Sequence, residues 1–156
     1  MPAIRSFYTD VIAKDVRFKF KAAVHDMDLL EPVMREAVQA IIAEAGKADI
    51  KLMAYETYRS KERQAMLFVN GATKLKNVGV HHYGLACDLV RDINGQPSWK
   101  GDFSFLGKLA AKHHLIWGGD WKGFPDLCHV QRIKVSDQPK LFAGTWYPDA
   151  SYDALK

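Results

Sequence analysis

Between Val80 and Val90 the chain reads VHHYGLACDLV, which places the carboxylate of Asp88 inside an apolar run. A charge withdrawn from water is costly unless it is paired or bound to a metal. Any fold of this chain must therefore bring a partner to Asp88. Side chains alternate across a strand. Over residues 85–90 that directs Leu85, Cys87 and Leu89 to a core and leaves Ala86, Asp88 and Val90 on a cleft floor. His81 precedes Asp88 by seven residues, so in one unbroken strand the two would face opposite ways. A bend or bulge at Gly84 can turn them to a common point, because glycine tolerates that backbone geometry.

The second half of the constellation is PDLCHVQ, where His129 opens a strand expected over 128–135 and Asp126 precedes it by three. A zinc hydrolase needs three protein ligands, an open fourth position for water, and an acid/base group that does not ligate the metal. Taken singly, each residue has an ordinary reading. His81 reads as a surface or capping histidine, Asp88 as a salt-bridge partner, Asp126 as a turn residue after Pro125, and His129 as a satisfied core histidine. Cys87 and Cys128 flank the candidates as rival ligands, but alternation turns them away, so two buried free thiols are expected.

Around this pair the chain alternates helices and strands. Leu30, Val33, Met34, Ala37, Val38, Ile41 and Ile42 recur at helical spacing, with Asp28 as the expected N-cap, Pro32 in the first turn and Gly46 at the end. IKLMAYETY (50–58) reads as a strand; Ser60 caps a second helix that runs to about Asn70 and stops at Gly71. A polar loop is expected over 71–80, and a third helix over 103–113 behind Asp102. IWGGDWKGFPD reads as a turn-rich loop, and the tail from Ser136 as irregular, with Phe142, Trp146 and Tyr147 packing back. The expected class is α+β, a small, mainly antiparallel sheet with flanking helices.

The 156 residues suit a single domain over 1–156, with 48% hydrophobic and 26% charged residues. No segment is apolar for long enough to span a membrane, and the mixed-charge start lacks the apolar run of a signal peptide. Synthesis in the cytoplasm is therefore expected. The net charge of +4 is a mild bias towards anionic partners, but Lys and Arg are scattered and no nucleic-acid motif is present, so a solvated surface is expected. His25, His113 and His114 are expected to cap or pack, not to hold metal.

GVHHYGLACD (79–88) resembles the Ser-x-His-x-x-Gly-x-Ala-x-Asp motif of the LAS-type zinc peptidoglycan peptidases, which include D-alanyl-D-alanine carboxypeptidases and phage L-alanyl-D-glutamate endopeptidases. DLCH resembles their second motif, YRSKERQ (58–64) their Tyr-Arg-Ser/Thr-x-x-x-Gln segment, and LIWGGDW (115–121) a stretch of the endopeptidase branch. The matches run in family order over about residues 30–133. Gly79 replaces the family serine, and His82 stands where asparagine is frequent.

The resemblance implies the fold of the D-Ala-D-Ala peptidases, with one Zn2+ per chain held by His81, Asp88 and His129. It makes Asp126 the general base that later protonates the leaving amine. Arg59 would bind a substrate carboxylate or steady the oxyanion, and Gln64 is a further substrate-binding expectation. Read from the residues themselves, Trp117 and Trp121 are candidate substrate-binding side chains, with one of the two expected in the cleft and the other in the core. Aspartate in place of glutamate before the last histidine favours an endolysin cutting the L-Ala–D-Glu bond of the peptidoglycan stem peptide. Such an enzyme would act as a monomer and reach the wall through a pore-forming partner. Two rivals remain: a D-Ala-D-Ala carboxypeptidase or dipeptidase, and a non-catalytic zinc-containing wall-binding module.

Overall fold

The computed structural model describes residues 4–73 and 78–156. In chain order the elements are α1 (Phe7–Asp10), α2 (Pro32–Lys47), β1 (Leu52–Glu56), α3 (Lys61–Val69), β2 (Ala86–Ile93), β3 (Gln96–Ser98), α4 (Ser104–Lys112), β4 (Ile116–Trp117), β5 (His129–Gln131) and α5 (Gln138–Phe142). The strands form one antiparallel sheet in the order β1-β2-β5-β4, with β3 pairing the far end of β2. The class is therefore α+β, as expected. Residues 74–77, the middle of the expected 71–80 loop, lie outside the described residues.

The long helix forms around the expected apolar stripe. Met34, Ala37, Val38, Ile41 and Ala45 are buried, and they join Leu89, Val90, Leu106, Ala110 and Val130 in one core. Its cap is Glu31 rather than Asp28. The Glu31 carboxylate accepts from the amides of Val33 and Met34, while Asp28 belongs to a preceding 3-10 turn. Gly46 lies inside the helix, and the left-handed residue after it is Asp49. Glu31 also holds Arg132 at 3.0 Å in a buried ion pair, and the second arm of Arg132 donates to the carbonyls of Asp149 and Tyr152. One carboxylate thus ties a helix start to the C-terminal segment.

Several boundaries move. Ser60 caps α3 as read, by accepting from the Arg63 amide. Asp102 accepts from the Ser104 amide at 2.9 Å at the start of α4. The last strand is limited to His129–Gln131, and Ile116–Trp117 pairs with it inside the region expected to be all loop. The hairpin to β3 was also legible but unread. Asn94 and Gly95, with φ of 55° and 84°, form the left-handed pair that two-residue hairpins favour. The tail contains the short helix α5, begun by Pro139 in its first turn. Its aromatics pack back: Phe142, Trp146 and Tyr147 cover Tyr83 and Leu85, and the Tyr147 hydroxyl donates to the Tyr83 carbonyl at 2.7 Å.

Gly84 takes a left-handed φ of 73°, and a Cβ there would lie 2.7 Å from the Leu29 carbonyl oxygen. Gly84→Ala therefore combines a left-handed penalty with overpacking against backbone. The expected loss is about 2–4 kcal/mol, read from the urea midpoint of unfolding.

Candidate metal centre

β2 and β5 lie side by side with Asp88 opposite His129, so two of the three expected ligands meet across one pair of strands. His81 reaches them from a 3-10 turn at Val80–Tyr83, which Gly84 ends in left-handed backbone. The bend at Gly84 thus does its work by closing a turn, without a bulged strand. Asp88 Oδ1 lies 3.3 Å from His81 Nε2 and 3.5 Å from His129 Nδ1. These three ligand atoms all lie within 4.8 Å of one another. Four ligands placed tetrahedrally at ~2.0–2.1 Å from a zinc ion are about 3.3 Å apart.

Asp88 Oδ1 is buried and has no hydrogen-bond partner. An orphaned carboxylate oxygen between two imidazole nitrogens at tetrahedral-edge distances fits a divalent metal of zinc type.

The residues behind the ligands support the same arrangement. His129 Nε2 donates to Gln131 Oε1 at 2.8 Å, which leaves Nδ1 with its lone pair towards Asp88. The Gln131 amide is itself oriented, because its nitrogen donates to the Ile133 carbonyl at 2.7 Å and to Gln138 at 3.0 Å. Gln131 was missed in the sequence, although it lies two residues from His129 and so shares its face. Metal-binding histidines are usually held by such a partner.

Glu56 was missed as well, and it is 1% exposed. A register shift between Ala54 and Glu56 makes Tyr55 the extra residue and sets Glu56 opposite Asp88. Two carboxylates directly opposite repel. Arg59 relieves this by placing Nη2 2.9 Å from Glu56 and 3.4 Å from Asp88 Oδ2, while Arg63 forms a second, very short ion pair with Glu56. The other Arg59 arm donates to Gln64 Oε1 at 3.2 Å. A guanidinium already shared by two carboxylates holds Asp88 in place, leaving Oδ1 for the metal. Arg59 also lines the cleft, where it was expected to bind a substrate carboxylate or steady the oxyanion, and its buried Nε has no hydrogen-bond partner among the described residues.

Electrostatics follow from these contacts. Burial works against the Asp88 carboxylate, but His81 and His129 outweigh it and hold the group well below the usual carboxylate range. Burial also lowers His129, yet the Asp88 carboxylate 3.5 Å from its Nδ1 carries it above an ordinary histidine. His81 is lowered by burial and by Arg59. Asp126 lies on the rim, its Oδ2 3.9 Å from His129 Nδ1. Burial raises its carboxyl against the pull of His129, and with 44% of the side chain exposed that desolvation is partial. Gly118 makes the approach possible: its carbonyl accepts from the Asp126 amide at 2.9 Å, and a Cβ at Gly118 would strike the Asp126 carbonyl at 2.5 Å.

These groups line a cleft of about 720 Å³, with Gln64 and Trp121 in its walls. Gln64 is buried and donates to Thr73 at 3.1 Å. The Trp121 ring lies 5.1 Å from that of His129. Trp117, by contrast, packs on the core against Gly107 and donates to the Leu127 carbonyl at 2.8 Å, so of the two tryptophans Trp121 is the one that lines the cleft. Val90 is fully buried and leaves the cleft floor to Asp88.

His82 is packed among Tyr8, Phe18 and Tyr58, with Tyr8 Oη 2.8 Å from its Nε2, and burial pulls it down to about 4. It stands apart from the metal cluster. Cys87 and Cys128 are free and buried, and burial raises both thiols. His25, His113 and His114 pair with Tyr55, Glu44 and Asp153 respectively.

Residues 73–132 match a family model described as D-alanyl-D-alanine carboxypeptidase. The chain is 27% identical over 151 residues to the peptidoglycan L-alanyl-D-glutamate endopeptidase CwlK of Bacillus subtilis (strain 168), covering 81% of this chain and 90% of that protein. It is 29% identical over 118 residues to the L-alanyl-D-glutamate peptidase of Listeria phage A118, covering 73% of this chain and 42% of the phage protein. The solved Serratia marcescens L-Ala D-Glu endopeptidase ChiX shares the fold, with a TM-score of 0.61 at 21% identity over 81% of this chain and 98% of ChiX. With its motifs in order and its histidines and aspartate gathered in one cleft, the chain is similar to the LAS-type peptidoglycan peptidases and shares the fold of ChiX.

Proposed function

We propose that this protein is a zinc-dependent peptidoglycan endopeptidase that hydrolyses the L-Ala–D-Glu bond of the stem peptide. The observation that carries the reading is the approach of His81, Asp88 and His129 within one cleft, with Asp126 on its rim. The likeness to CwlK and to the phage peptidase, both named for that bond, supports the choice of bond. His81, Asp88 and His129 would hold one Zn2+ per chain. When bound, zinc supplies Lewis acidity, which polarises a carbonyl and brings the pKa of water towards ~7.

The chain's own residues do the rest. Asp126 takes the proton of the attacking water and returns it to the leaving amine; its raised carboxyl and its position beside His129 suit it to moving a proton. Arg59 and Glu56 fix the Asp88 carboxylate, and Gln131 fixes the His129 tautomer. Gln64 and Trp121 bound the space for the peptide. The proposal takes residues 1–156 as a single catalytic domain acting as a monomer. Among the described residues no helix is long and apolar enough to cross a membrane. Access to the wall through a separate pore-forming partner is part of the proposal.

Mass spectrometry of purified peptidoglycan digested by the zinc-loaded protein, with a chelated control, tests the reading. New fragments beginning with D-Glu, absent with chelator, support it. Release of D-Ala alone would replace it by a carboxypeptidase, and no product from zinc-bound protein by a binding module.

Metal affinity should depend on pH with a definite sign. Zinc must displace the proton that Asp88 helps His129 retain. Affinity is therefore full above the raised His129 value and falls as pH drops through it, by about tenfold per unit below. Competition against a chelator of known affinity between pH 5 and 9 measures this, and a flat profile would remove His129 from the ligand set.

A further inference from the structure

The cleft is chemically two-ended along β2. Towards Ala86 its wall is amide-rich: Gln131, level with Ala86, donates to Gln138. Towards Val90 it is aromatic. Tyr55, the bulge residue of β1, meets Trp99 in an edge-to-face pair with centroids 4.8 Å apart. Trp99 follows Ser98, whose register partner is Arg91, so it stands about level with Val90. It is 51% exposed although large and apolar, and both rings line the cleft that holds the metal ligands.

We propose that the Tyr55–Trp99 pair is a sugar subsite that takes the N-acetylmuramoyl ring bearing the stem peptide. This rests on the L-Ala–D-Glu reading, because that bond lies one residue from the glycan. Val90 is two residues beyond Asp88 along β2, a rise of roughly 7 Å. One alanyl residue and the lactyl ether joining it to the sugar span about the same distance, roughly 7 Å. With the scissile carbonyl at the metal ligands, the sugar ring therefore reaches Trp99. Indole faces suit the C–H-rich face of a pyranose, and an aromatic rim offers a rigid, amphipathic contact. The stem beyond D-Glu then runs along the amide-rich end, where the Gln138 amide nitrogen can donate to a carboxylate or peptide oxygen.

The test compares two substrates, free L-Ala-D-Glu-diaminopimelate-D-Ala and the same peptide on the N-acetylglucosaminyl-N-acetylmuramoyl disaccharide. With zinc-loaded wild type, kcat/KM for the sugar-bearing substrate should be higher by about tenfold, mostly through KM. Trp99→Ala should bring the ratio of the two towards one, and Trp99→Phe should restore part of it. A wild-type ratio near one, or a Trp99→Ala loss equal on both substrates, overturns the subsite. Binding gives a readout independent of turnover. The disaccharide without peptide should shift the Trp99 indole N–H resonance saturably, and no shift at millimolar sugar overturns the proposal. Cleavage at another bond with the shift intact would remove the bond assignment and leave the subsite standing.

Discussion

Asp126→Ala should fold and bind zinc like the wild type and lose wall-degrading activity by about 10²–10⁴-fold, the usual contribution of a positioned proton-transfer group. The structure separates these properties. Asp126 is on the rim, with 44% of its side chain exposed and its carboxylate 3.9 Å from His129, so its removal leaves His81, Asp88 and His129 in register. Zinc content, thermal unfolding and turnover of purified peptidoglycan measured on one preparation check all three. Asp126→Asn should behave like the alanine variant, because an amide cannot carry the proton. Cleavage at the wild-type rate in either variant would mean that another group moves the proton.

Glu56→Ala should give the largest stability loss of a single change near the site, about 3–5 kcal/mol, because it strips Arg63 of its carboxylate and leaves Arg59 only the longer contact with Asp88. Arg59 and Arg63 both converge on this carboxylate, which is 1% exposed. Arg59 is also the anchor of Asp88 Oδ2, so the variant should weaken zinc binding by about 10–100-fold as well. Urea unfolding and chelator competition read the two effects. Glu56→Gln, which keeps shape and acceptors but not charge, should fall between, and wild-type zinc affinity in Glu56→Gln would show that the ion pair does not position Asp88.

The pH dependence has the same origin. Burial opposes ionisation of Glu56, but Arg59 outweighs it and holds the carboxyl below the ordinary value of 4.5. Its contribution to stability is complete above that ordinary value and is lost as pH falls through the lower folded one.

The candidate ligands were legible through their joint arrangement and the family resemblance, not one by one. Asp88 is a charge in an apolar run, and His129 opens a strand behind a turn acid. Glu56 is likewise a charge within LMAYE but was passed over, since one carboxylate in a five-residue strand reads equally well as its solvent face. Only the bulge at Tyr55, which sets Glu56 opposite Asp88, decides the matter. His82 was the converse. In sequence it stands as a departure from the frequent asparagine, whereas its fate is set by Tyr8 and Phe18, remote in the chain.

Alone, the sequence determined what is local or periodic: the apolar stripe of α2, the serine cap of α3, the left-handed glycine after His81, and the residue types able to hold a metal. Tertiary structure decided what depends on contacts between distant segments. It gave Glu31 the cap of α2 together with Arg132, turned Trp117 inward and Trp121 outward, and made Arg59 a brace for Asp88. The reason is physical. Periodicity and capping act over a few residues, whereas compensating a buried charge requires whichever partner the fold brings within about 3–4 Å.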